Sequence, residues 1–278
     1  QLSEESRRAY AQDIRQFTTW LGHNELSRVS RQDIIDYRLW MREKFRPSTV
    51  NRRLSVVRSL FAEAMRRGAV SSSPTDGIRG CQLEDMPLRA PTVEGVRALL
   101  ASVSGDSLME RRDHCLLYVL CGMGLRRDEA AKLTVGSLSR EGGTLLADIE
   151  GKGNKRRRLA VPPPIAEVIE TWVASAKLRQ CDPLFSPVSQ AGRTIHLRRK
   201  PMGPTALYNV VRRRMAAVNL SGYSPHSLRR FLISYRLQQG MSVYDVQRIA
   251  GHSDPRQTEK YDVYRHGAVL AAAEQVDF

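Results

Sequence analysis

The chain has 278 residues, 41% of them hydrophobic, and carries 44 Lys and Arg against 29 Asp and Glu, a formal net charge of +15 spread along its length. That length favours two domains, and the excess of cations points to a polyanion, nucleic acid above all, although a basic surface alone also suits a soluble protein with no such partner. No apolar run approaches the ~20 residues that span a bilayer, and Cys81, Cys115, Cys121 and Cys181 form no CxxC pair, which argues against a zinc module or a secreted disulfide framework and for reduced thiols in a cytoplasmic protein.

Residues Tyr10, Ile14, Phe17 and Leu21 recur at spacings of four, three and four, which predicts an amphipathic helix over Ser3 to Leu21 with Ser3 as its N-cap. No signal-peptide pattern precedes it, and Gln1 in place of a starting Met points to residues upstream. A second helix is expected from about Ser30, and a third from Pro47 to about Arg67, where Gly68 stops it. On the third, Arg52, Arg53 and Arg58 are candidates to grip phosphates, or equally a solvated helix face. Between Val70 and Pro91 a Ser-Ser-Ser-Pro run, Asp76-Gly77, Gly80 and Pro87 break the periodicity. The domains are therefore placed at residues 1–80 and 92–278, with a linker over 81–91.

In the second domain Thr92 is expected to cap a helix, and Cys115 to Leu120 is apolar enough for a core helix ending at Gly122-Met123-Gly124. Leu125 to Leu133 reads as another helix, which puts Arg126 on a first turn whose backbone amides add to its positive potential. Alternation from Thr144 to Val161, interrupted by Gly151-Lys152-Gly153-Asn154-Lys155, predicts a two-stranded hairpin with Lys152 at its tip. Ile165 to Leu178 and Leu207 to Ala217 read as helices, the latter with Arg212 and Arg213. Pro183 to Pro204 is expected to be an irregular segment near DNA, with Arg198, Arg199 and Lys200. Ala268 to Ala273 is expected to be a short C-terminal helix.

Cleaving a phosphodiester with a side-chain nucleophile needs donors preorganised around the phosphoryl oxygens, and guanidinium forks suit two oxygens at once. Arg126 and Arg229 are the candidates. His226 lies three residues before Arg229, on one helix face with it, and could take the proton of a tyrosine, which is a poor nucleophile while neutral. Glu129, three after Arg126, could orient that guanidinium. Singly, each of these patterns is more often structural than catalytic.

Together, and in order, Gly124-Leu125-Arg126 with Glu129, Gly151-Lys152-Gly153-Asn154-Lys155, His226-Ser227-Leu228-Arg229, Gly251-His252-Ser253 and Thr258-Glu259-Lys260-Tyr261 resemble the signature boxes of the tyrosine recombinase, or phage integrase, family over residues 90 to 265. The first 80 residues resemble that family's helical core-binding domain. The resemblance implies a mainly α fold with a small β-hairpin, and two domains forming a C-shaped clamp on DNA with inverted-repeat core sites. It implies site-specific recombination through a 3′-phosphotyrosyl bond and a Holliday junction, without ATP, metal or other cofactor. It casts Tyr261 as nucleophile, Arg126 and Arg229 as phosphate ligands, Lys152 as general acid, His226 as proton-transfer partner and His252 as a hydrogen-bond donor to the phosphate. It also implies tetramers joined through the C-terminal helix around Val269 to Ala273. Arg230-Phe231-Leu232 and Ala250 depart from the family's usual text without removing a catalytic group, and Tyr264 is a competing nucleophile. A type IB topoisomerase-like activity and a non-enzymatic DNA-binding regulator are the alternatives.

Overall fold

The computed structural model describes residues 4–83, 89–151, 155–191, 194–252 and 254–261. The chain divides into two compact units, Gln1–Met86 and Pro87–Phe278.

The first unit is built from α1 (Glu4–Leu21), α2 (Arg31–Lys44) and α3 (Pro47–Arg66). Ser30 starts α2 with a capping box: its hydroxyl accepts from the Asp33 amide at 3.2 Å, and the Asp33 carboxylate accepts from the Ser30 amide at 2.7 Å. Phe17, Ile34, Tyr37, Met41, Leu54 and Phe61, spaced at helical intervals, meet in the core. Within it, the Phe17 and Tyr37 rings lie 4.9 Å apart. Three arginines expected at phosphates make contacts inside the unit. Arg52 and Arg53 pair with buried Asp13, fastening α3 to α1, and Arg53 also lies 3.9 Å over the Phe45 ring. Arg58 donates to the Ile78 carbonyl at 2.5 Å. Arg52 keeps about half of its side chain in solvent (49%) and so stays open to a further partner.

In the second unit α4 (Val93–Ala101) starts at the Thr92 cap, whose hydroxyl accepts from the Gly95 amide at 3.1 Å. Helix α5 (Leu108–Met123) is the central element and buries Cys115, Leu116, Leu117, Val119 and Leu120. It packs on α7 (Pro163–Ser175) so closely that a Cβ on Gly122 would lie 2.0 Å from the Ile165 Cδ1 atom. Asp113 of α5 is fully buried and is neutralised by Arg112 at 2.5 Å and by Arg214 at 2.7 Å, the latter from α8 (Pro204–Ala216). The remaining helices are α6 (Arg127–Lys132), α9 (Pro225–Gln238), α10 (Val243–Ala250) and α11 (Arg256–Glu259).

The expected hairpin is present as β2 (Thr144–Glu150) and β3 (Arg156–Ala160), but β1 (Leu138–Glu141) pairs with the other edge of β2 and makes a three-stranded antiparallel sheet. The segment expected to be irregular contains a second, two-stranded sheet, β4 (Val188–Ala191) and β5 (Thr194–Leu197). Its polar, Gly- and Arg-rich text hides the strands, because a short ladder is held by backbone pairing that composition does not report. The four cysteines are free; Cys115 and Cys121 are buried, which pushes both thiols up. Ser3, Lys152 and the segment Val269 to Ala273 lie outside the described residues.

Candidate active site

Helix α5 stops at Gly124, whose φ of +62° is a left-handed turn that glycine adopts without a Cβ penalty. Two residues later Arg126 stands at the N-cap of α6 in extended backbone, not on the first helical turn as expected. The physical reason is Glu129. Its carboxylate reaches back and accepts from the Arg126 amide at 2.8 Å and from the Arg126 guanidinium at 2.8 Å, so that amide is occupied by protein. A second guanidinium, Arg157 of β3, grips the same carboxylate with two bonds of 3.0 and 2.8 Å. Burial pushes the Glu129 carboxyl up, but the Arg157 fork and the Arg126 donors outweigh it and hold the group below the usual carboxylate range.

Pro225 at the start of α9 sets the helix that carries His226 and Arg229. Arg229 is only 1% exposed. Its Nη1 donates to the Gly124 carbonyl at 2.6 Å and its Nη2 to the Ala250 carbonyl at 2.5 Å, while its Nε has no hydrogen-bond partner among the described residues. Burial first, and the neighbouring Arg126 second, lower its pKa to about 10, which leaves it charged at neutral pH. Helix α10 is capped by Ser242, through the Asp245 amide, and ends at Gly251 with φ +62°, after which the chain reverses at His252. The His252 Nδ1 lies 2.8 Å from the buried Thr258 hydroxyl, leaving Nε2 as its other polar atom. Tyr261 closes the set. It is 9% exposed, packs with Ile233, Val246 and Ala250, and stacks against the His252 ring at 6.3 Å.

Arg126, His226, Arg229, His252, Gln257, Lys260 and Tyr261 line one cavity of about 240 Å³. Five residues picked from distant parts of the sequence thus share a single recess dominated by positive charge. That charge acts on the histidines: burial, then Arg230, Arg229 and Arg126, lower His226 to about 4, and burial with Arg229 and Arg126 does the same to His252. His226 keeps an exposed edge, so solvent screens part of the repulsion there. Both imidazoles are neutral at pH 7. Among the described residues no group of three or more His, Cys, Asp or Glu is arranged to hold a metal ion.

Gln257 and Arg157 carry no pattern of their own in the sequence, and Thr258 and Lys260 stand out there only as part of the box that ends at Tyr261. The period-two burial of β3, with Arg157 and Leu159 on the inner face, is the signal that could have found Arg157. Of the arginines expected at DNA in this unit, Arg212 donates to the Ser221 and Tyr223 carbonyls before α9, and Arg199 pairs with buried Asp182. Arg198 and Lys200 are exposed, and Arg213, also largely exposed, reaches the buried Asp113 carboxylate at 3.5 Å.

The family comparison places the chain as a whole. Residues 92–266 match the phage integrase family model, and residues 1–68 match the model of the phage integrase N-terminal SAM-like domain. The chain belongs to the phage integrase family. It is a site-specific tyrosine recombinase, an enzyme of DNA strand transfer. It is 28% identical over 270 residues to tyrosine recombinase XerD of Pseudomonas aeruginosa, covering 94% of this chain and 87% of that one. It is 25% identical to tyrosine recombinase XerC of Herpetosiphon aurantiacus, covering 97% and 92%. Among solved structures, the recombinase fold is shared with the Tn1549 transposon integrase in complex with transposon right end DNA (TM-score 0.76, 16% identity, 99% of this chain and 94% of that one). It is shared also with XerH bound to palindromic difH substrate (TM-score 0.72, 17% identity, 90% and 73%).

Proposed function

We propose that the recess of the C-terminal unit is where this recombinase breaks and rejoins each DNA strand, with Tyr261 as the nucleophile. The observation that carries the reading is the meeting of Tyr261, two arginines and two neutral histidines on one cavity. The Tyr261 oxygen attacks the scissile phosphorus and forms a 3′-phosphotyrosyl ester as the bond to the 5′ oxygen breaks. His226 receives the phenol proton, and Lys152 gives the departing 5′ oxygen its proton. Arg126 and Arg229 meet the charge that grows on the non-bridging oxygens. The unpaired buried Nε of Arg229 fits that duty, since a buried donor without a partner costs about 1–3 kcal/mol until something accepts from it. His252, if the Thr258 hydroxyl donates to its Nδ1, presents Nε2–H to a phosphate oxygen.

Burial is the larger cause of the low histidine pKa values and the arginines the smaller; the arriving phosphodiester offsets only the arginines' share, and to that extent favours proton transfer to His226. The ester conserves the bond energy, so attack by the 5′ hydroxyl of the second strand restores the diester and frees Tyr261 with no input of ATP. Two inverted-repeat core sites, each bound by two protomers, would exchange strands through a Holliday junction, the protomers joined through the segment Val269 to Ala273. The chain would act in the cytoplasm; no described helix is long and apolar enough to cross a membrane.

A pool of nicked duplexes with a randomised core tests the nucleophile. Wild-type protein is expected to capture a subset as adducts stable to denaturing gels, and Tyr261→Phe to bind the same subset without an adduct. Adducts of equal yield from Tyr261→Phe contradict it. On a captured duplex, Lys152→Ala is expected to slow cleavage of an ordinary 5′ leaving group by about 100-fold or more. A bridging 5′-phosphorothiolate, whose thiolate leaves without an acid, should be slowed far less; equal slowing removes Lys152 from the acid role.

A further inference from the structure

Three arginines converge on the last turn of α10, each on a different and successive carbonyl. Arg157 Nε donates to Ile249 at 3.3 Å, Arg229 Nη2 to Ala250 at 2.5 Å and Arg126 Nη2 to Gly251 at 3.0 Å. A helix C-terminus is where carbonyls run out of intrahelical partners and partial negative charge collects, so each donor satisfies an orphan acceptor. Two of the three line the cavity and are accounted for by the phosphate; Arg157 is not among the lining residues. Its guanidinium instead has two faces of contact. One pair of N–H groups holds Glu129, the carboxylate that orients Arg126, and the Nε holds α10 just before His252.

We propose that Arg157 is a positioning residue that fastens the β2–β3 hairpin, the Glu129–Arg126 pair and the end of α10 to one another, and so aims Arg126 and His252 at the scissile phosphate. This rests on reading the cavity as the cleavage site. Only a planar fork with a third N–H set to one side can make these contacts together; an ammonium has the charge but not the geometry. Gly251 belongs to the same device. A Cβ there would sit 2.8 Å from Arg157 Nη1 and 2.9 Å from its Cζ, so the glycine is what lets the guanidinium lie under the turn that leads to His252. At its other end Arg157 pairs with Ile149 across the hairpin, whose neck is closed by the Gly151 amide donating to the Lys155 carbonyl at 2.8 Å. Lys152 lies between Gly151 and Lys155 in sequence, so the clamp holds the strand ends that flank the proposed acid.

Arg157→Ala and Arg157→Lys test this on a nicked duplex recovered by wild-type protein from the randomised pool. Both variants are expected to bind the duplex within about threefold of wild type and to form the Tyr261 adduct about 100-fold more slowly, the scale of an ångström misplacement of reacting groups. Millimolar guanidinium ion is expected to restore part of the rate to the alanine variant, which has room for it, and none to the lysine variant. In the free protein, backbone amides of residues 247–252 are expected to exchange with deuterium faster in both. An adduct rate within threefold of wild type in either folded variant, unchanged exchange over 247–252, or binding lost in step with the rate overturns the proposal. If the alanine variant does not fold, the lysine variant is judged by the same criteria. If wild-type protein captures no duplex, the reading of the cavity fails, and the exchange measurement alone still decides the clamp.

Discussion

Thr258 carries no charge, yet its buried hydroxyl, 2.8 Å from the His252 Nδ1, fixes which ring atom faces the cavity. Replacing it by valine keeps the shape and removes the bond, a loss of about 0.5–1.5 kcal/mol for a neutral pair. Thr258→Val is therefore expected to slow adduct formation by up to about tenfold, while Thr258→Ser stays near wild type; equal rates for the valine variant would show that His252 needs no such partner. Tyr261, the two histidines and Arg126 with Arg229, which meet on one cavity, could be picked out together from the sequence because the proposed chemistry at phosphorus has few other candidate side chains. Arg157 and Thr258 could not. One is an arginine among three in a row, the other a threonine in a short turn, and their duties exist only once β3 lies beside α10 and α11 folds back on His252.

Among the elements, α5 shows how a helix with an apolar text can bury a charge. Asp113→Ala would leave the buried Arg112 and the partly exposed Arg214 without their shared carboxylate, and removing one partner of a buried pair such as Arg112–Asp113 costs about 3–5 kcal/mol. A large drop in the thermal midpoint is expected, and a midpoint within a degree or two of wild type would show the network to be dispensable. Helix α9, which carries His226, and the turn after α10, which carries His252, link stability to pH. Their histidines have folded pKa values of about 4, against about 6.5 when unfolded, so between those values the unfolded chain binds more protons. Stability is then full above pH 6.5, falls as the pH is lowered toward 4, and levels off below. Chemical denaturation at stepped pH should show this loss, and His226→Asn with His252→Asn should flatten it; an unchanged slope in the double variant would assign the loss to other groups. The long helices were legible because their apolar spacing persists over many turns. Strands β1, β4 and β5, each four residues, were not, since their pairing partners and not their side chains define them.

For the whole molecule, a net charge of +15 favours a DNA partner, but charge alone does not say which arginines touch it. Arg52, Arg199 and Arg212 already hold carboxylates or carbonyls of the protein, although Arg52 and Arg199 keep exposed surface, and Lys200 and Arg198 are exposed. Lys200→Ala is expected to lower the slope of log affinity against log salt by about one, the change for one phosphate contact, whereas Arg212→Ala is expected to lower the thermal midpoint; an unchanged slope for Lys200→Ala removes it from the interface. The central claim is that one tyrosine, carried into a recess of arginines and neutral histidines, becomes joined to DNA. Trapping the adduct on a captured nicked duplex, digesting protein and DNA, and sequencing the nucleotide-bearing peptide by mass spectrometry tests it most directly. A 3′-linked nucleotide on Tyr261 is the expected result, and a nucleotide on Tyr264, a 5′ linkage, or no modified tyrosine would contradict it.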